Sequence, residues 1–164
     1  MQLLNTSYCE IIERSDQTMF VTALYMVIDT EQRRLNITTA GHPLPILASR
    51  DSTPTAQMER LGREGPALGL FAGANFAIHQ QPITPGDLVF LYTDGIPEAE
   101  SSQGEMFGTE NVIKSIHGSL DKPLREICSS LISELHDFSQ NNKPDDDICL
   151  VAVEVLSAAE VESV

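Results

Sequence analysis

A buried strand that runs into an Asp-Gly pair puts a carboxylate at the end of a rigid element, where a functional group can be held accurately. Residues 86–95, Gly-Asp-Leu-Val-Phe-Leu-Tyr-Thr-Asp-Gly, have that form, with Asp94 at the end and Gly95 letting the backbone turn. A second set of carboxylates, Asp145, Asp146 and Asp147, stands directly before the apolar run 148–155. Adjacent carboxylates repel, so they need solvent or a cation. If the two runs pair antiparallel, the end of the first lies beside the start of the second. Asp94 and Asp146 then meet at one sheet edge as oxygen donors suited to Mg²⁺ or Mn²⁺. Each feature also has an ordinary explanation, because Asp-Gly is a common turn and an acidic triplet is a common solvated loop.

Two familiar alternatives fail on spacing. A nucleophilic-aspartate phosphotransferase needs Asp-x-Asp, and Tyr92 stands two residues before Asp94. An EF-hand loop needs alternating acids around a central Gly, which residues 141–152 lack.

The elements that must position these residues follow from periodicity. Leu3, Leu4, Tyr8, Ile11 and Ile12 recur at helical spacing, predicting a helix over 2–13. The apolar run 20–28 predicts a strand covered on both faces, turning at 29–32 into a second strand over 34–39. Further strands are expected at 44–48, 76–80, 88–92 and 148–155, with a short one inside 49–67. Thr109 is the expected cap of a helix carrying Val112, Ile113 and Ile116 and stopping at Gly118. Asp121 is the expected cap of a longer helix with Pro123 in its first turn and a stripe from Leu124 to Phe138. Residues 156–164 read as a flexible tail. Sequential hairpins with segregated helices define an α+β chain built on antiparallel sheets.

Composition narrows the function classes. The 164 residues fit a single domain and carry 10 Lys+Arg against 24 Asp+Glu, a net charge of −14. No basic stripe is present for a nucleic acid or an anionic membrane surface. The acidity is skewed: residues 1–93 hold nine acids and six bases, residues 94–164 fifteen acids and four bases. Cys9, Cys128 and Cys149 form no disulfide framework or metal knuckle, which favours a reducing, cytoplasmic setting. No secretory signal or membrane-spanning run is expected.

The order of motifs resembles the bacterial branch of the metal-dependent type 2C Ser/Thr phosphatases (the PPM class) typified by the stage II sporulation protein E (SpoIIE). The matching pieces are Met19-Phe20-Val21-Thr22-Ala23-Leu24-Tyr25, Ala40-Gly41-His42-Pro43, Gly65…Leu68-Gly69-Leu70, and Pro85-Gly86-Asp87…Leu91-Tyr92-Thr93-Asp94-Gly95-Ile96-Pro97-Glu98-Ala99. Phe107-Gly108 and Asp146-Asp147-Ile148 follow, with Cys149 where Thr is usual. Each motif is weak alone; six in order over 3–155 are a strong signal.

The resemblance implies an antiparallel β-sandwich flanked by helices, as one domain over 1–155. It implies a binuclear Mn²⁺ or Mg²⁺ site and hydrolysis of phosphoserine or phosphothreonine by a metal-activated water, without a covalent intermediate. Asp94 and Asp146 would be metal ligands, with Asp147 and Gly95 secondary and Asp145 outside the match. The implied partner is a phosphorylated regulatory protein of the anti-sigma-factor antagonist type. His42 reads as part of a structural turn and Cys149 as a small core residue.

The family's Gly-Gly-Asp-(Phe/Tyr)-Tyr-Asp and Asp-Val-Ser-Gly-(His/Lys)-Gly motifs, which supply the bridging aspartate and further ligands, do not occur in these residues. The first strands and first long helix of the family domain are therefore absent from the match. Three readings stay open: the C-terminal two-thirds of an active phosphatase domain, weakly active or inactive alone; a non-catalytic phosphatase-like binding or regulatory module; and an acidic module binding a single Mg²⁺. Missing strands also leave apolar edges, so a homodimer is expected.

Overall fold

In the computed structural model, which describes residues 1–14, 19–50, 58–140 and 146–157, the apolar segment after Val21 becomes β1 (Ala23–Asp29). It folds back antiparallel on β2 (Arg34–Ala40), pairing Ala23 with Ala40 and Asp29 with Arg34. The Asp29 carboxylate closes the turn by accepting the Gln32 N–H at 2.8 Å, and Arg33 adopts a left-handed φ of 49°. Beyond β2 lies β5 (His79–Pro82), giving a three-stranded antiparallel sheet in the order β1-β2-β5. With helix α1 (Gln2–Glu13) these strands form one compact unit, Met1–Leu44 with Leu61–Ile83.

Within that unit Asn5 is fully buried on α1, and its side chain takes the place of a backbone partner for a loop. Its Oδ1 accepts the Gly69 N–H at 2.9 Å and its Nδ2 donates to the Phe71 carbonyl at 2.9 Å.

The second unit, Pro45–Arg60 with Thr84–Val164, holds a four-stranded antiparallel sheet. Its order is β4 (Glu59–Arg60), β3 (Ile46–Ser49), β6 (Asp87–Tyr92) and β7 (Leu150–Glu154). Two helices, α2 (Gly108–His117) and α3 (Leu124–Phe138), complete it. Phe90, Ile46, Ile116, Ile127, Leu131 and Leu135 meet in its core, joined by the remaining stripe positions of α3. Phe107 packs edge-to-face on Phe138 with ring centroids 5.3 Å apart.

Several sequence expectations shift. β1 is not covered on both faces: Tyr25 is 61% and Val27 41% exposed, and the two share one face of the strand. The expected strand 76–80 forms at His79–Pro82, where it pairs with Arg34–Ile37 of β2, while Phe76 is buried outside any strand. Thr109 does not cap α2, whose N-cap is Phe107; its side chain hydrogen-bonds that of Tyr92 instead. Asp121 does not cap α3 either. Pro123 holds the N-cap with extended backbone (ψ 145°), so the helix starts at Leu124. Of the expected tail, residues 158–164 lie outside the described residues.

Candidate functional site

β6 and β7 pair antiparallel with Tyr92 opposite Leu150, so the end of one and the start of the other lie side by side. One step further the ladder changes character. The Thr93 N–H still donates to the Cys149 carbonyl at 3.1 Å. The Cys149 N–H, however, donates to the Thr93 hydroxyl at 2.9 Å, and that hydroxyl donates onward to the Asp147 carbonyl at 2.8 Å. One side chain thus ties the residue before Asp94 to the segment that follows Asp146.

Gly95 tightens the same junction. It is buried, and a Cβ built on it would fall 2.6 Å from the Asp147 carbonyl oxygen and 3.3 Å from that of Asp146. Its φ is not left-handed; Gly is required by close approach of backbone to backbone, not by an unusual torsion. The turn continues with the Glu98 N–H donating to the Asp94 carbonyl at 2.9 Å, and Ile96 anchors it as a fully buried member of the core. Asp94 itself is partly exposed, and Asp146 and Asp147 are exposed. One carboxylate oxygen of Asp146 accepts the Asp147 N–H at 2.7 Å, which shapes the loop and leaves its second oxygen unengaged by that bond.

Asp94, Gly95, Asp146 and Asp147 are therefore brought to one end of one sheet, as the strand-end pairing predicts. Asp145 lies outside the described residues. His42 makes a local contact, its Nδ1 lying 3.0 Å from the Pro43 carbonyl. Cys149 is exposed, so it is not the core residue expected. Its amide is held by Thr93, while the core beside it is filled by Ile148 and Leu150. Thr93 is the residue that motif reasoning passed over. A hydroxyl immediately before an aspartate at a strand end was the available signal.

The donor chemistry at this edge suits a hard divalent cation, since carboxylate and carbonyl oxygens are the ligands Mg²⁺ and Mn²⁺ favour. The number of donors falls short: among the described residues no group of three or more His, Cys, Asp or Glu side chains is gathered as a metal site. The residues present fit part of a metal centre.

The fold is that of the type 2C phosphatase domains. The profile of the family described as Stage II sporulation protein E (SpoIIE) matches residues 1–156, and the chain belongs to that family of serine/threonine phosphatases. It is 32% identical over 142 residues to Protein IcfG of Synechocystis sp., covering 86% of this chain. It is 25% identical over 136 residues to the phosphoserine phosphatase RsbP of Bacillus subtilis, covering 83%. The chain spans only 22% and 31% of the lengths of those two relatives. Among solved structures it resembles the SiaA-PP2C domain of Pseudomonas aeruginosa, with a TM-score of 0.73 and 17% identity over 93% of this chain and 68% of that one. It also resembles the SpoIIE phosphatase domain of B. subtilis in a Mn-presoaked form, with a TM-score of 0.61 and 16% identity over 82% of this chain and 56% of that one. No described helix is long and apolar enough to cross a membrane.

Proposed function

We propose that this chain is the C-terminal part of a cytoplasmic catalytic domain that hydrolyses phosphoserine or phosphothreonine on a regulatory protein of the anti-sigma-factor antagonist type. Residues 1–155 belong to that domain. The observation that supports this reading is the junction at which the Asp94 turn is locked to the Asp146–Asp147 segment, through the Thr93 hydroxyl and the Gly95 close approach.

In this reading Asp94 and Asp146 contribute carboxylates to the cation site, Asp147 is an auxiliary donor, and Thr93 and Gly95 set the spacing between them. Mn²⁺ or Mg²⁺ held there supplies water activation and neutralises charge on the phosphoryl oxygens. Rigid placement of the carboxylates matters because the fixed positions of charges around a phosphoryl group carry most of the catalysis in such chemistry.

The deciding assay is Mn²⁺-dependent phosphate release from a phosphoserine form of the antagonist protein, comparing the native full-length protein with Asp94→Asn. The expected result is a loss of at least about 100-fold, the scale on which electrostatic groups act in catalysis. Unchanged release in the variant overturns the ligand assignment.

A second reading, a non-catalytic binding or regulatory module, is favoured by the shortage of donors among the described residues. Absence of metal-dependent turnover by the native protein, together with undiminished binding of the phosphorylated partner by Asp94→Asn, selects that reading. Intact mass of the native protein separates the two further, by showing whether additional polypeptide precedes these residues.

A further inference from the structure

We infer that the start of α2 is a positioning element for Asp94, holding the chain on both sides of it so that its carboxylate meets a cation at a fixed place. The inference rests on Asp94 being a cation ligand. On the near side, Tyr92 closes β6, and its hydroxyl is hydrogen-bonded by the side chain of Thr109 in the first turn of α2. On the far side, the Gly108 N–H donates to the Pro97 carbonyl at 2.7 Å and the Phe107 N–H to the Ala99 carbonyl at 2.9 Å. Gly108 reaches its partner with a left-handed φ of 78°.

The arc from Tyr92 to Ile96 is thereby held from two directions. Thr93 and Gly95 meet the backbone of Cys149 and Asp147, ahead of β7. Tyr92 and Ile96 are instead buried in one cluster with Phe107 and Val112, at the start of α2. Asp94 stands between these two sets of anchors and is left partly exposed. A carboxylate whose backbone is fixed from both directions has little freedom to lose on binding an ion, and that is what supporting residues contribute to a metal site.

Packing alone does not call for the hydroxyl pair. Tyr92 is 3% exposed, and a phenylalanine would fill the same core without burying an oxygen. A buried hydroxyl that is hydrogen-bonded adds direction more than net stability, because its bond replaces one to water. Thr109 sets that direction here, its side chain serving Tyr92 and not the end of its own helix. All of these residues belong to one compact unit, Pro45–Arg60 with Thr84–Val164.

Calorimetric titration of Mn²⁺ into the native full-length protein tests this, comparing the parent with Tyr92→Phe, Thr109→Val, Thr109→Ser, Ser119→Ala and Asp94→Asn. Amide exchange of Glu98, whose N–H donates to the Asp94 carbonyl, is followed in the metal-free protein. Tyr92→Phe and Thr109→Val should each weaken Mn²⁺ binding about tenfold and speed Glu98 exchange, as loss of an outer support does. The double variant should do no more than either single one, and Thr109→Ser should restore both readouts. Ser119→Ala removes a buried hydrogen bond just beyond the other end of α2, so it should lower the melting temperature and leave Mn²⁺ affinity alone. Parental affinity in Tyr92→Phe and Thr109→Val, with affinity lost in Asp94→Asn, overturns the positioning role and leaves the ligand assignment standing. Parental affinity in Asp94→Asn overturns both together. An equal loss in Ser119→Ala overturns the positioning role by reducing the effect to general destabilisation.

Discussion

The Gly95 α-carbon rests against the Asp147 carbonyl so closely that a methyl group there would stand 2.6 Å from the oxygen. This single approach sets how near the Asp94 turn lies to the Asp146–Asp147 segment, two stretches of chain more than fifty residues apart in sequence. The junction tolerates neither added bulk nor lost hydrogen bonds, and its consequences can be measured.

Gly95→Ala forces the obstructing backbone to move, since no flexible side chain is there to yield. Overpacking of this kind costs about 1–3 kcal/mol. Urea unfolding should show a lower midpoint with an unchanged slope. Metal-dependent phosphate release by the native protein should fall further than stability alone accounts for, because the carboxylate spacing changes. A variant as stable and as active as the parent would contradict the close-packed junction.

Thr93→Val removes the hydroxyl while keeping the shape of the side chain. Two hydrogen bonds are lost, the one accepted from Cys149 N–H and the one donated to the Asp147 carbonyl. At about 0.5–1.5 kcal/mol each, the loss should be about 1–3 kcal/mol, and Thr93→Ser should recover most of it. Faster amide exchange at Cys149 in the Val variant, restored by Ser, is the specific signature.

Asp146→Asn and Asp146→Ala separate charge from loop shape. Asn retains an oxygen able to accept the Asp147 N–H, whereas Ala does not. Stability should be nearly unchanged for Asn and lower by about 0.5–1.5 kcal/mol for Ala. Mn²⁺ affinity, followed by calorimetry on the native protein, should fall about tenfold or more in both, as expected for loss of a charged donor. Full affinity in Asp146→Asn would remove this residue from the ligand set.

Tyr92 is buried at the end of β6, and burial raises its pKa above the usual 10.0, a shift moderated by the Arg60 charge and the Thr109 hydrogen bond. The folded state therefore holds this proton more tightly than the unfolded state does. Its contribution to stability is complete below pH 10 and is lost as pH rises from there through the folded-state value. Thermal melts should show an alkaline decline that is shallower in Tyr92→Phe. An identical decline in both proteins would place the alkaline-sensitive group elsewhere.

Much of the architecture was legible from local pattern. The α3 stripe runs through every expected position from Leu124 to Phe138, because an amphipathic period of 3.6 has one geometric solution. β6 was legible for a similar reason: Leu88, Val89 and Phe90 are all fully buried, as a continuous apolar run between turns requires. β1 looked the same on paper and is half exposed. Hydrophobicity alone does not say whether one face of a strand is covered or both, and that depends on what packs against each face. The helix starts failed differently. Thr109 is drawn away from capping by Tyr92, and Asp121 is displaced by the extended backbone of Pro123, one a tertiary contact and the other a torsional restriction.

The same division runs through the site. Composition, the strand that ends in Asp94, and the acids before β7 were determined by the sequence itself, since each is a property of neighbouring residues. That these two stretches meet depends on the Tyr92–Leu150 register of β6 and β7. Register between distant strands is a property of the whole packed sheet, because a slip of one residue turns every side chain to the other face. Only the folded chain could therefore reveal that Thr93 holds both Cys149 and Asp147, and that Gly95 is a glycine because a backbone carbonyl occupies the space a side chain would need.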